Sequence, residues 1–259
     1  MHELPLVFFT VLSQSAVGAF VLLYISYRLA QINERQLAIG LTAAMVVFIV
    51  GLLLGTFHVG QPLRAFNMLL GVGRSPMSNE IVLSGVFGLF GCLTALGMLL
   101  NKGTARLHQI LAMITVVVGI AFVVSIPAVY QLDTVPAWNS SFTSGFMMLT
   151  VLIGGGALAA LFGAWRIGLP LSCAAIVISL AMRANAAGEL FMADATLAGA
   201  QTSWFTVQAV LMIGVLALGL FFALRRSGGK MLLATCASLA IVGELLGRIA
   251  FYNLWSVAM

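Results

Sequence analysis

The residues with most chemistry to offer lie between His58 and Glu80, in the stretch HVGQPLRAFNMLLGVGRSPMSNE. A His, two Arg, two Pro, two Asn and a Glu fall within these 23 positions, in a chain that is 62% hydrophobic and 7% charged. Ionisable side chains are costly in hydrocarbon, so such a concentration marks a functional candidate. A neutral imidazole, with an ordinary pKa of about 6.5, takes and releases a proton readily. A carboxylate beside it can orient the ring, stabilise its cation or accept a second proton. His58 and Glu80 form such a pair. It suits oxidation of a quinol, which gives up two phenolic protons and two electrons and whose apolar tail can enter from lipid. The structural alternative, that His58 closes a helix end by bonding backbone carbonyls, stays open on the residues alone.

The elements that must position this pair are apolar helices. A mean hydropathy of +1.13 and so low a charge cannot cover a water-facing surface. Apolar runs long enough to cross a bilayer recur at about 5–27, 37–57, 81–100, 109–130, 144–164, 169–187, 204–224 and 231–252. The expected fold is therefore an all-α integral membrane protein, residues 1–259 forming one bundle of eight transmembrane helices. The lack of polar alternation within the runs excludes a β-barrel. The N-terminus has no basic segment ahead of its apolar run and is expected to stay as the first span.

Orientation follows from the loops. Arg28, Arg35, Lys102, Arg106, Arg166, Arg225, Arg226 and Lys230 fall on one side, eight of the twelve basic residues. The positive-inside rule assigns that side to the cytoplasm and predicts N-out and C-out. Six of the seven acidic residues then lie toward the outside, all but Glu34. The outer end is thus the chemically furnished one, and the bilayer midplane reads as nearly free of polar groups.

Other candidates follow in chain order. Gln14, among Ser13 and Ser15 in the outer half of span one, either packs helices or reaches a ligand. The 58–80 loop is long for neighbouring helices and is stiffened by Pro62 and Pro76. Ser78 or Asn79 is expected to cap span three, with Glu80 in its first turn. Arg64, at the mouth of the quinol site, and Arg74 and Asp133, facing a partner, complete the outer set. Trp138 is read as an interfacial belt residue and Arg183 as a side chain extending to the interface. Glu244 and Arg248 stand at i,i+4, either as a structural ion pair or as part of a site. Gly154, Gly155 and Gly156 suit close helix contacts.

His2, His58 and His108 all lie at helix edges, so no interior pair exists to ligate a haem. Cys92, Cys173 and Cys236 stand singly, which gives no cluster or metal site. The expectation is no haem, no iron–sulfur cluster and no metal in this chain, so electrons from a quinol must pass to a partner's centre. The alternative class is a secondary transporter, which would place polar sites and broken helices at the midplane.

HVGQPLRAFN, the following SNE, the DTVPAW loop and GELLGRIAFYN resemble the membrane anchor subunit of bacterial dimethyl sulfoxide reductase over essentially the full length. The resemblance implies a menaquinol-oxidising anchor in the inner membrane. It also implies two partners on the periplasmic face, a four-cluster iron–sulfur subunit and a molybdopterin catalytic subunit, the latter selecting the terminal acceptor. The family's quinol-site histidine corresponds to His58 and its glutamate to Glu80.

Overall fold

A computed structural model describes residues 3–57, 62–225 and 229–255, with the backbone alone described at 62–66. Among these residues the chain is helical and has no strand: α1 (Leu4–Arg28), α2 (Glu34–Thr56), a 3-10 helix (Pro62–Gly71), α3 (Pro76–Leu99), α4 (Ala105–Tyr130), α5 (Ser141–Ala159), α6 (Trp165–Ala193), α7 (Ala195–Arg225) and α8 (Gly229–Asn253). Helix starts are locally encoded. Asn33 and Gln36 form a reciprocal capping box on α2. The Thr104 side chain accepts from Leu107 N–H, and Asp194 Oδ1 accepts from Leu197 N–H.

Seven continuous helices are long and apolar enough to cross a membrane, one of them the 53-residue run Ser141–Ala193. That run contains α5 and α6 and folds back on itself. Gly163 adopts φ +113° and Phe162 leaves the helical region, so the regular ladder breaks there. The two limbs then pack together, with Ser172 Oγ donating to Ile153 O at 2.8 Å.

α1 is the axis of the bundle: 72% of its apolar window is buried, against 28% for α7. On one side of α1, Phe20, Phe48, Phe87 and Phe122 from α1–α4 meet edge-on and stacked, with centroids 5.0–6.4 Å apart. On the other side α5 presses backbone against backbone, and a Cβ at Gly155 would stand 2.5 Å from the Cα of Gly18. Without a hydrophobic drive between helices in lipid, such close approach supplies much of the association. Gly155→Ala should therefore cost about 1–3 kcal/mol through overpacking. Thermal unfolding in detergent would measure it against Gly188→Ala, which meets open space and should be neutral. Val117, Val124, Val210 and Leu220 are among the large apolar side chains left exposed, as a lipid-facing surface requires.

Contacts such as Phe9 against Gly55, Tyr130 against Tyr252 and Ser140 against Glu189 bring together the start of α1, the end of α2, the starts of α3, α5 and α7, and the ends of α4, α6 and α8. At the opposite end Ile32 and Gln36 abut Gly163, and His108 Nε2 bonds Lys102 O at 2.8 Å. The first of these ends holds the candidate site.

Candidate functional site

α3 starts one turn earlier than the SNE motif suggests. Ser75 is its N-cap, without a side-chain bond, and Pro76 occupies the first turn. Asn79 instead accepts from Gly73 N–H at 2.7 Å and pins the loop to the helix. Glu80 is consequently in the second turn and faces inward, only 5% exposed. Its Oε1 is buried and has no hydrogen-bond partner among the described residues. An unsatisfied buried carboxylate oxygen is costly enough to call for a functional explanation. His58 lies outside the described residues, as does the side chain of Arg64, so the expected His58–Glu80 pairing has no geometry on its histidine side.

Beside Glu80 stands an aromatic wall. The Tyr252 hydroxyl donates to the Tyr130 hydroxyl, and both rings sit edge-on to Trp138. Both tyrosines lie within electrostatic reach of Glu80 and of Arg248. Trp138 is no belt residue: it is 8% exposed, and its Nε1 donates to Phe251 O at 2.8 Å, clamping the α4–α5 loop to α8.

Beyond this wall lies a second polar group. Gln14 donates through Nε2 to Met147 O at 3.0 Å and accepts from Arg248 Nη2 at 2.9 Å. Gln14 is thus a buried tie between α1, α5 and α8, not an open ligand at the Glu80 side. The direct Glu244–Arg248 ion pair does not form. Thr150 stands between them, accepting from Arg248 Nη2 at 3.1 Å and donating to Glu244 Oε2. Arg183 does not extend to the interface. Its Nη2 donates to Gln208 Oε1 at 2.7 Å, and its guanidinium lies 4.2 Å and 4.6 Å from the ring centres of Phe146 and Phe205.

Thr150, Arg183, Gln208, Glu244 and Arg248, but not Gln14, border a cavity of about 680 Å³ among α5–α8, within the size range of small-molecule sites. Gln14, Thr150, Arg183 and Glu244 each lie about nine or ten residues from the helix ends at this side, or about 14–15 Å down. Polar groups therefore reach deeper than the sequence reading of a nearly clean midplane. Arg74 and Asp133, by contrast, are both exposed at this end. Arg74 Nη2 donates to Leu70 O, and Asp133 Oδ1 accepts from Asn139 Nδ2.

The family model described as DMSO reductase anchor subunit (DmsC) matches residues 1–254. The chain belongs to this anchor subunit family. It is 32% identical to the anaerobic dimethyl sulfoxide reductase protein YnfH of Escherichia coli, over 98% of this sequence and 95% of that protein. It is 31% identical to the C subunit of the E. coli anaerobic dimethyl sulfoxide reductase over the same shares. The C subunit of the Haemophilus influenzae enzyme is 37% identical over 60% of this sequence and 56% of its own length. The expected resemblance is thus correct, and the helices are those of a multi-pass membrane anchor.

Within that anchor, Tyr130, Tyr252, Thr150 and Gln208 were not singled out by sequence. Thr150 stands alone in an apolar run, while Tyr130, Gln208 and Tyr252 each have a polar neighbour in sequence, and nothing local links the four to one another.

Proposed function

We propose that the chain binds and oxidises menaquinol at the Glu80-bearing end of the bundle and passes the electrons to an iron–sulfur partner subunit. A molybdopterin catalytic subunit would complete the complex. In this reading the protein forms one bundle crossing the inner membrane eight times, with Ser141–Ala193 counted as two crossings and both termini on the periplasmic side. The supporting observation is the buried Glu80 Oε1, which has no hydrogen-bond partner among the described residues. His58, immediately beyond α2 in sequence, takes the first phenolic proton. Glu80 stabilises the resulting imidazolium or takes the second. Oxidation releases two protons and two electrons, so both acceptor groups must discharge to the outer side between turnovers.

The partner subunits dock on the same end. Arg74 is exposed there near the exposed Leu69, Leu70 and Val72 in its own loop, and Asp133 is exposed next to the exposed Leu132. Polar groups flanked by exposed apolar surface suit a protein interface. The transporter reading has less support, because the break at Gly163 sits at the opposite end from the polar groups and opens no site among them.

Proton release, electron exit and acceptor reduction on one side move no charge across the bilayer. Proteoliposomes holding the whole complex, a menaquinol pool and a voltage-sensitive dye should show turnover without a membrane potential. A potential that collapses with an ionophore would overturn the outer-face mechanism. Absence of menaquinol-driven turnover would overturn the quinol assignment.

A further inference from the structure

The cavity among α5–α8 is unused by the mechanism above, although its furnishing is that of a binding site. Its depth is polar and its walls are aromatic. Phe142, Phe146, Phe205 and Phe251 line it, while Thr150, Arg183, Gln208, Glu244 and Arg248 converge from four helices. Arg248 is 5% exposed, and its Nη1 is a buried donor without a partner among the described residues. Buried guanidinium N–H groups are rarely left unpaired, because the desolvation cost is then uncompensated. Arg183 is held by two ring faces and one amide oxygen, a mode of support that uses few of its five N–H donors.

We propose that this cavity is a second site for a quinone-type ligand, a flat ring bearing two oxygens, separate from the Glu80 side. The guanidinium donors match carbonyl oxygens, the Glu244 carboxylate matches a hydroxyl, and the phenylalanines match the ring faces. Having donors and an acceptor together lets one site hold either the quinone or the quinol. An anionic lipid headgroup fits less well. Glu189 lines the cavity beside Ser140, with Ser140 Oγ donating to its Oε2 at 3.2 Å, and Glu244 lies deeper, so two carboxylates would oppose a phosphate. Glu80 stands on α3, which contributes no residue to the lining of this cavity. The ligand class rests on the quinol reading above; the location rests on the cavity itself.

A short-tailed azido-naphthoquinone, photolysed with the detergent-purified whole complex, tests the proposal. Mass spectrometry should find label on the segments spanning 142–150 of α5 and 205–209 of α7, and unlabelled naphthoquinone should compete it away. Arg183→Gln should cut that labelling about tenfold or more, the worth of a charge-assisted hydrogen bond. Labelling around residues 58–80 should stay unchanged. Ala209→Phe, which fills the cavity from a different helix, should do the same, and partner co-purification shows that either variant is folded. Label confined to residues 58–80 would overturn the second site and leave the proposed function intact. Label on α5 and α7 that yields to phosphatidylglycerol vesicles but not to naphthoquinone would overturn it in favour of lipid. No label at either place also overturns it, while menaquinol-driven turnover separately decides the proposed function.

Discussion

Glu80→Gln should lower menaquinol-driven reduction of the partner's iron–sulfur chain by about a hundredfold or more while leaving the fold intact. General acid–base groups typically contribute 10²–10⁴-fold, and the amide keeps the carboxylate's shape but cannot take a proton. Stability should hold or rise, because Oε1 has no hydrogen-bond partner among the described residues and a neutral amide is cheaper to desolvate. This opposition of activity and stability separates a proton-handling role from a structural one. His58→Ala should show the same loss, and the double variant should be no worse than either single one, since the pair acts as a unit. Stopped-flow reduction by menaquinol, compared with an artificial donor that reaches the clusters directly, reads the effect. Wild-type menaquinol rates in Glu80→Gln would remove Glu80 from the mechanism.

Arg248→Met should destabilise the protein by about 3 kcal/mol or more, among the largest losses available to a single substitution here. Its guanidinium ties Gln14 of α1 to Thr150 of α5 from α8. Removing it strands the Gln14 oxygen and leaves Glu244 with Thr150 as its hydrogen-bond partner. Truncating one partner of a buried charged group typically costs about 3–5 kcal/mol, whereas removing both is far milder. The double variant Arg248→Met, Glu244→Gln should therefore recover the part of the loss owed to the uncompensated carboxylate, while the stranded Gln14 oxygen keeps the rest. Thermal unfolding and the yield of assembled complex measure both. A double variant as unstable as Arg248→Met alone would show that packing, not charge, carries the effect.

The membrane class, the apolar helices and the concentration of polar residues at one end of the helices were legible in the sequence because they depend on composition and on runs of consecutive residues. Glu80 was legible for the same reason: its polar neighbours are adjacent in sequence. The start of α3 was misplaced, since Pro76 can open a helix as well as Ser78 or Asn79 can cap one, and the choice depends on how the loop folds back through Gly73 and Asn79. Arg183 and Trp138 were misread because a long cationic or aromatic side chain near a span end has two outlets, the interface or the interior, and only the neighbouring helices decide between them.

The sequence by itself determined that this is a helical membrane anchor of the dimethyl sulfoxide reductase family. Hydropathy is a local property, and the family's motifs are contiguous. Only the tertiary structure decided that Gln14, Thr150, Glu244 and Arg248 form one buried group and that Tyr130 and Tyr252 meet edge-on. Those residues are up to 234 positions apart. Their meeting depends on the backbone approach of α1 and α5 at Gly18 and Gly155 and on the reversal at Gly163, which set the order of helices around the axis.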